Sequence, residues 1–563
     1  MGEKINPELE LAININNYTS GSSLYIGYNT ADDSWTLILR YSGDIHDLEM
    51  EYLNKCIYLL GGFAIIEIYT YNIDRLLRDP RILYIDKANY FSYGSVSNSY
   101  EKLSMCITNR FNSRYDLTGA GVCVGIIDSG LDLRNQEFYS DDKLRVILYW
   151  NQNELYNEEH PNDYKIGRIY NERELDDDNN REYISEGLFS VHGTEVASAS
   201  VGNNTGIAYG SSVIVVEQYG GADIPDTISI MMGIDFLVRY SMSSGVPLVI
   251  NLSYGNNYGA HDGNSTLELF IDVVSQMSKV NVVTGTGNDG DRSLHTSGIL
   301  GNVSFKDIDI AVYDGVNNFG LQVWKNYTDN FDLLVYSPSY DLVMYITDGQ
   351  ITQGVSSGTT HVYGIFQSPT PYNTKQLIYI YFSARTYIET GVWHVRIIPK
   401  SIINGVYNAY IPGSLYITGV VAFETPAVYG TLSIPSSARS AISVAAYDQR
   451  EEALTSFSGR GFTTDNAVKP DIAAPGVGVT VSIGRGEYAL ADGTSISSAL
   501  VSGCAALLME WGIVRGNDPF MYGERLKAQL IRGAVPLRGL DMYPNRFIGW
   551  GTVCMDKSFE GLD

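Results

Sequence analysis

The chain is 563 residues long, with 44% hydrophobic and 18% charged residues, which suits a globular protein of two or three domains and excludes a largely disordered one. Its 64 acidic residues outnumber 38 basic ones to give a net charge of −26, which disfavours nucleic acid or any other polyphosphate partner. The five cysteines (Cys56, Cys106, Cys123, Cys504 and Cys554) are scattered, odd in number and without metal-ligand spacing, so they read as reduced, mostly buried thiols.

The first twenty residues lack a basic stretch followed by an apolar core, so no signal peptide is expected, and the apolar runs break off short of membrane-spanning length. Residues 1–95 then form a self-contained pattern. Ser34–Tyr41 alternates like a strand, and Tyr58–Tyr69 reads as two strands joined at Gly61-Gly62. Asn72–Leu77 predicts a short capped helix and Ile82–Lys87 a last strand, which together make a small α+β sandwich. Ser92–Ser99 is polar and without periodicity, the mark of a linker or a cleavage site.

Gly121–Gly130 is an apolar run ending in Asp128 and a glycine turn, which fits a strand buried on both faces of a parallel sheet. Ligand chemistry in such sheets gathers beyond the carboxyl ends of the strands, so Asp128 is placed either as an orienting carboxylate or as the cap of the next turn. The acidic run Glu174-Leu-Asp176-Asp-Asp178 resembles a calcium loop in charge, but it lacks glycine-punctuated ligand spacing and reads first as a solvated run. No cofactor is assigned. His192 opens a second run of small residues, His192–Gly202, that predicts a helix. An imidazole at a helix N-terminus has reason to stay neutral, as a general base must; a capping histidine is the alternative.

Ile250–Gly255 is an apolar strand turning polar at Ser253, readable as a core strand and its turn. Val282–Gly290 ends likewise in a glycine-rich turn around Asn288, whose side chain is either an oxyanion donor or a turn asparagine with positive φ. From about Gly301 to Thr425 the pattern becomes alternating and aromatic-rich. Phe305–Tyr313, Phe319–Trp324, Phe331–Tyr336, Leu377–Phe382, Gly391–Pro399 and Leu415–Phe423 predict the strands of an inserted β-sandwich or jelly roll without a catalytic grouping of its own. Finally, Gly493-Thr494 leads into Ser495 and a run of small and apolar residues to Met509, a helix able to pass through a crowded core. Ser495 is either an N-cap or a nucleophile placed at the positive end of that helix.

In the order Asp128, His192, Asn288, Ser495, these motifs resemble those of the subtilisin-like serine proteases, as do Lys469–Gly476 and Gly549-Trp-Gly551. The resemblance covers roughly residues 115–300 and 430–555. It implies that Ser495 attacks the scissile carbonyl, His192 moves the proton, Asp128 orients the imidazole, and Asn288 with the Ser495 backbone N–H holds the oxyanion. Ser253, Tyr254 and Gly255 match the family's substrate strand, which pairs with extended peptide. The implied fold is α/β: a subtilisin-like core with a parallel sheet flanked by helices (97–301 and 426–563), an N-terminal α+β propeptide (1–96) and an inserted all-β jelly-roll-like domain (302–425).

His192 and Ser495 are 303 positions apart, longer than a minimal core needs, because of that insertion. The propeptide without a secretion signal, the β insertion, the acidity and the few cysteines make the chain similar to the clostridial Csp germination proteases. That resemblance implies an autoprocessed propeptide bound in the cleft, cleavage within Tyr93–Tyr100, a spore-cortex-lytic zymogen as substrate, no membrane span and residence in the spore after synthesis in the cytoplasm. Two other readings remain open: a catalytically silent binding or signalling subunit, and a broad-specificity intracellular subtilisin.

Overall fold

The structure, a computed structural model, describes residues 4–562 apart from 16–21, 94–95, 98–114, 189, 219–224, 357–358, 371 and 414–418. The chain forms two compact units. One holds Met1–Tyr90, Asn256–Ala260 and Arg292–Thr431; the other holds Phe91–Gly255, His261–Asp291 and Leu432–Asp563.

The second unit is built on a parallel sheet in the order Val146–Asn151, Ser212–Glu217, Cys123–Asp128, Leu248–Leu252, Val280–Gly285, Ile442–Asp448 and Ile472–Pro475. Arg168–Asn171 and Ala453–Leu454 join it antiparallel. Every residue of Cys123–Asp128, Leu248–Leu252 and Val280–Gly285 is buried, as near-continuous Val/Ile runs require when both faces are covered. Among the covering helices, Thr227–Ser244 starts at a capping box of Asp226 and Ser229 and ends at Gly245, whose φ of 73° only glycine adopts cheaply.

The helix Thr494–Met509 runs through the middle of this unit, with all 16 of its residues buried. Its small residues make that possible. A Cβ on Gly503 would lie 2.6 Å from the Ile207 Cβ and 2.8 Å from the Ser200 carbonyl oxygen, so only glycine lets the helix pass this close. Continued to Val514, this helix is long and apolar enough to cross a membrane, contrary to the expected short runs. Its burial inside the core accounts for its composition.

The first unit joins the N-terminal module to the insertion. The module is a sheet of Tyr28–Asn29, Ser34–Tyr41, Phe63–Tyr69 and Leu53–Leu59, with Ile82–Lys87 on the other side of Ser34–Tyr41. Gly61 and Gly62 turn the hairpin at φ 74° and 79°, as expected. The expected helix runs Thr70–Leu76 but carries no side-chain cap, because the aromatic Tyr69 holds the N-cap position.

The insertion is two antiparallel sheets around one core. One runs His295–Ile299, Val406–Tyr410, Asn318–Asn326, Lys375–Ala384, Thr360–Phe366, Ile351–Ser356; the other Leu342–Ile346, Asn330–Tyr336, Gly391–Ser401, Lys306–Val312, Val421–Phe423. Of the expected strand Leu415–Phe423, residues 415–418 lie outside those described. The alternation along Lys375–Ala384 explains how module and insertion come to share a unit. Ile378, Ile380 and Phe382 enter the sandwich core, while Leu377, Tyr379 and Tyr381 join the core made by Leu9, Leu24, Trp35, Leu37 and Ile66 of the module.

One expectation fails outright. Cys56, Cys123 and Cys504 are free thiols, and burial pushes the Cys123 and Cys504 thiols far above their usual range, but Cys554 is disulfide-bonded. Pairing depends on proximity in space, which spacing along the chain does not carry.

Candidate active site

The parallel sheet delivers its chemistry at one end. Asp128 ends its strand in register with Glu217 of the neighbouring strand, Ser253 follows Leu248–Leu252, and Thr286 to Asn288 follow Val280–Gly285. Asp128 is fully buried and its Oδ1 lies 2.7 Å from the Nδ1 of His192, itself 2% exposed. The Ser129 N–H donates to the same Oδ1 at 2.7 Å, while the Ser129 hydroxyl accepts from the Gly193 N–H at 3.0 Å. The loop after Asp128 thereby grips the start of the helix His192–Val201. Gly193 is compelled here, since a Cβ would fall 2.1 Å from the Gly130 carbonyl oxygen.

Burial alone would lower the pKa of His192, but the charge of Asp128 and its hydrogen bond outweigh that and leave it raised above the ordinary histidine value. With Nδ1 held by a carboxylate, Nε2 is the ring nitrogen that can exchange a proton with another group.

Ser495 is the second residue of its helix, not the cap; Gly493 holds the cap position at φ 144°. Its Oγ is 3.5 Å from the Ser253 carbonyl oxygen, and its own carbonyl accepts from the Ser498 hydroxyl at 2.8 Å. Asn251, on the strand Leu248–Leu252, donates to Ser502 Oγ at 3.0 Å and accepts from Ser253 Oγ at 2.7 Å, which ties the strand to the helix.

Asn288 is not a positive-φ turn residue; that conformation falls on Gly287, at 93°. The Asn288 side-chain oxygen accepts from both the backbone N–H and the hydroxyl of Thr494, each at 3.0 Å. The Thr494 hydroxyl also accepts from the Gly287 N–H at 3.1 Å. With its oxygen so committed, Asn288 has its NH2 as the end that can meet an oxyanion. Thr494 was read from the sequence only as a small residue before the serine. Nothing in its type separates that from a positioning role.

Ser92–Ser99 is no bare linker. Ser92–Tyr93 pairs antiparallel with Tyr254–Gly255, and Val96–Ser97 pairs antiparallel with Asp492 and Ala491. The chain's own segment therefore forms strands with Tyr254-Gly255, expected from the resemblance to pair with substrate, and with the strand leading to Ser495. Part of the expected cleavage window, residues 94–95 and 98–100, lies outside the described residues. The acidic run contributes caps: Asn171 and Glu174 form a capping box and Asp177 caps Asn179. Among the described residues no group of three or more His, Cys, Asp or Glu is placed to hold a metal ion.

A buried aspartate–histidine pair, a serine in the first turn of a core helix and an asparagine at a strand end, all on one edge of a parallel sheet, define the class of the subtilisin-like serine endopeptidases. The chain belongs to the subtilase family, matched over residues 119–309 and 427–551, and residues 3–88 match the Csp protease B prodomain. It is similar to the CspB protease of Clostridium perfringens, with 30% identity and a TM-score of 0.74 over 81% of this chain and 95% of that one. Subtilisin-like protease 5 of Arthroderma otae is 25% identical over 267 residues, 46% of this chain and 56% of the relative, so the match spans about half that protein's length. A 57-residue stretch, 10% of this chain and 5% of the relative, is 46% identical to the C5a peptidase of Streptococcus pyogenes.

Proposed function

We propose that the chain is a Csp-type processing protease that cuts its own propeptide and then activates the zymogen of a spore-cortex-lytic enzyme during germination. Ser495 is the nucleophile, His192 the base and then the acid, Asp128 the group that fixes the imidazole, and Asn288 with the Ser495 N–H the oxyanion hole. His192 takes the Ser495 proton as Oγ bonds to the scissile carbonyl carbon, then hands it to the leaving amine. Water attacks the acyl-enzyme by the same route in reverse. The Asn288 amide stabilises each tetrahedral state; removal of such a donor costs about 10²–10³ in rate, a figure from subtilisin itself. The mechanism calls on no cofactor.

The observation that carries this reading is the 2.7 Å Asp128–His192 pair at the same edge of the sheet where Tyr254-Gly255 hold a strand of the chain itself. Strand addition gives affinity through main-chain hydrogen bonds, and the segment supplied is the one that follows the matched prodomain. The zymogen substrate and residence in the spore rest on the likeness to CspB. A silent binding subunit is the second reading, favoured by the same seated segment, which leaves the groove filled.

Intact-mass analysis of the wild type beside Ser495→Ala tests this. The wild type is expected as two fragments and the variant as one, and the processed wild type is expected to cleave a cortex-hydrolase zymogen in a mixture. If both chains stay whole, the silent-subunit reading replaces this one. If both are cut alike, another protease does the processing.

A further inference from the structure

Glu217 ends the strand beside that of Asp128, in register with it, and the Gln218 N–H donates to the Asp128 carbonyl oxygen at 2.7 Å. Glu217 is 2% exposed, and among the described residues no basic side chain acts on it. Its carboxyl accepts from the Tyr149 hydroxyl at 2.7 Å and from the Asn153 amide at 3.0 Å, two neutral donors. Burial raises this carboxyl, and the like charge of Glu154 adds to the effect. An acid so placed is costly to bury, and a leucine of similar volume would not incur that cost. Packing alone does not account for a glutamate here.

Tyr149 shows what the acid serves. Its side chain is fully buried, and the single proton of its hydroxyl is donated to Glu217 Oε2. The lone pairs of the same oxygen are thereby turned to the loop after Asp128, where the Leu131 N–H donates to them at 3.3 Å. The loop lies directly against the pair: a Cβ on Gly130 would fall 2.7 Å from the Tyr149 hydroxyl oxygen and 3.0 Å from Glu217 Cδ. On its other side the loop grips the start of the histidine helix. The Ser129 hydroxyl accepts from the Gly193 N–H, the Gly130 carbonyl abuts Gly193, and the Asp132 N–H donates to the Thr194 hydroxyl at 3.0 Å. Gly193 and Thr194 directly follow His192, so a displacement of the loop moves the imidazole relative to Asp128.

We propose that Tyr149, oriented by Glu217, is a positioning residue of the catalytic pair: its hydroxyl holds the loop Ser129–Leu131 and thereby sets the hydrogen bond between Asp128 and His192. Its consequence for rate rests on the protease reading above. Burial lowers the pKa of His192, while the charge of Asp128, the hydrogen bond to it and the charge of Glu195 raise it. Tyr149 is neutral and touches the loop, not the imidazole, so its influence is mechanical. It is read in His192 through the strength of the bond to Asp128.

The test is an NMR titration of His192 in the uncut Ser495→Ala chain with ring-labelled histidine, its signal identified by its loss in His192→Gln. Tyr149→Phe keeps the ring and should lower the His192 midpoint by up to about 1 pH unit, the scale of one lost hydrogen bond. Glu217→Leu should lower it as far, and the double variant no further, since both act through one hydroxyl. Glu217→Gln still accepts from that hydroxyl through its amide oxygen and should restore the midpoint. In chains that keep Ser495, processing should slow by about 2- to 13-fold in Tyr149→Phe and in Glu217→Leu, and Glu217→Gln should recover most of the rate. A residue of structural weight alone would shift denaturant unfolding and leave the His192 titration in place. A midpoint unmoved by Tyr149→Phe, or falls that add in the double variant, overturns the proposal and leaves the protease reading standing. A wild type as whole as Ser495→Ala overturns the protease reading, while the titration, which needs no cleavage, still decides the role of Tyr149.

Discussion

Replacing Thr494 by valine removes one hydroxyl and little volume, at a residue 2% exposed. The hydroxyl donates to the Asn288 oxygen at 3.0 Å and accepts from the Gly287 N–H at 3.1 Å; the Thr494 backbone N–H, also 3.0 Å from the Asn288 oxygen, survives the change. Two neutral hydrogen bonds are lost, each worth about 0.5–1.5 kcal/mol net, so the hold on the Asn288 turn should loosen by about 1–3 kcal/mol. That corresponds to a fall of about 5- to 150-fold in processing rate, against about 10²–10³-fold for Asn288→Ala. Because Thr494 acts only through Asn288, the double variant should be no slower than Asn288→Ala alone, and Thr494→Ser should restore most of the rate. The assay is the appearance of cleaved chain by intact mass after dilution from denaturant. Tryptophan fluorescence of the matching Ser495→Ala chain supplies the folding rate, so that folding and cleavage are separated. Multiplying losses in the double variant, or a valine variant within twofold of the wild type, would refute the assignment of Thr494 as the residue that aims the amide.

Three further outcomes follow from the geometry. His192 must be neutral to accept the serine proton, and its pKa is raised by Asp128; processing should therefore increase with pH through a midpoint above the ordinary histidine value. Asp128→Asn should move that midpoint downward while reducing the rate by about 10⁴-fold, and a midpoint that stays put refutes the coupling. Burial raises the Glu217 carboxyl to about 7 despite hydrogen bonds from Tyr149 and Asn153. A raised carboxyl means stability that is present at low pH and lost as pH climbs from the unfolded value through about 7. Glu217→Gln should accordingly stabilise the uncut Ser495→Ala chain by about 1–3 kcal/mol at pH 8 and by nothing measurable at pH 4, read by denaturant titration. Glu8 and Lys87 lie 3.5 Å apart, both buried, with Gln322 donating to Glu8 at 2.6 Å. Glu8→Ala removes the counter-charge of a lysine that keeps its bonds to the Ser23 and Ala88 carbonyls and should cost about 3–5 kcal/mol, while Glu8→Gln should cost less; equal losses would show that the charge is not what matters.

The parts legible in the sequence are those whose physics is local. Buried parallel strands announce themselves as apolar runs because both faces are covered, and so Cys123–Asp128 and Val280–Gly285 were readable together with the polar turns that end them. The helix after Ser495 was readable because only small residues allow a core helix such close neighbours. The short strands His295–Ile299 and Ile351–Ser356 were not, since HTSGI and ITQGVS mix glycine and polar residues on the edges of their sheet, where one partner and partial burial relax the alternation. Nor was the disulfide at Cys554, nor the shared core of module and insertion, because Leu377, Tyr379 and Tyr381 read as one face of an ordinary strand until their partners in the module are known.

Within Ser92–Ser99, expected as a linker or a cleavage site and by resemblance as part of a propeptide bound in the cleft, Ser92–Tyr93 and Val96–Ser97 are paired strands that periodicity did not show. A segment with no periodicity reads as a linker because periodicity reports burial against one's own core. Ser92–Tyr93 and Val96–Ser97 are instead held by main-chain pairing with Tyr254–Gly255 and with Ala491 and Asp492, for which almost any side chain serves.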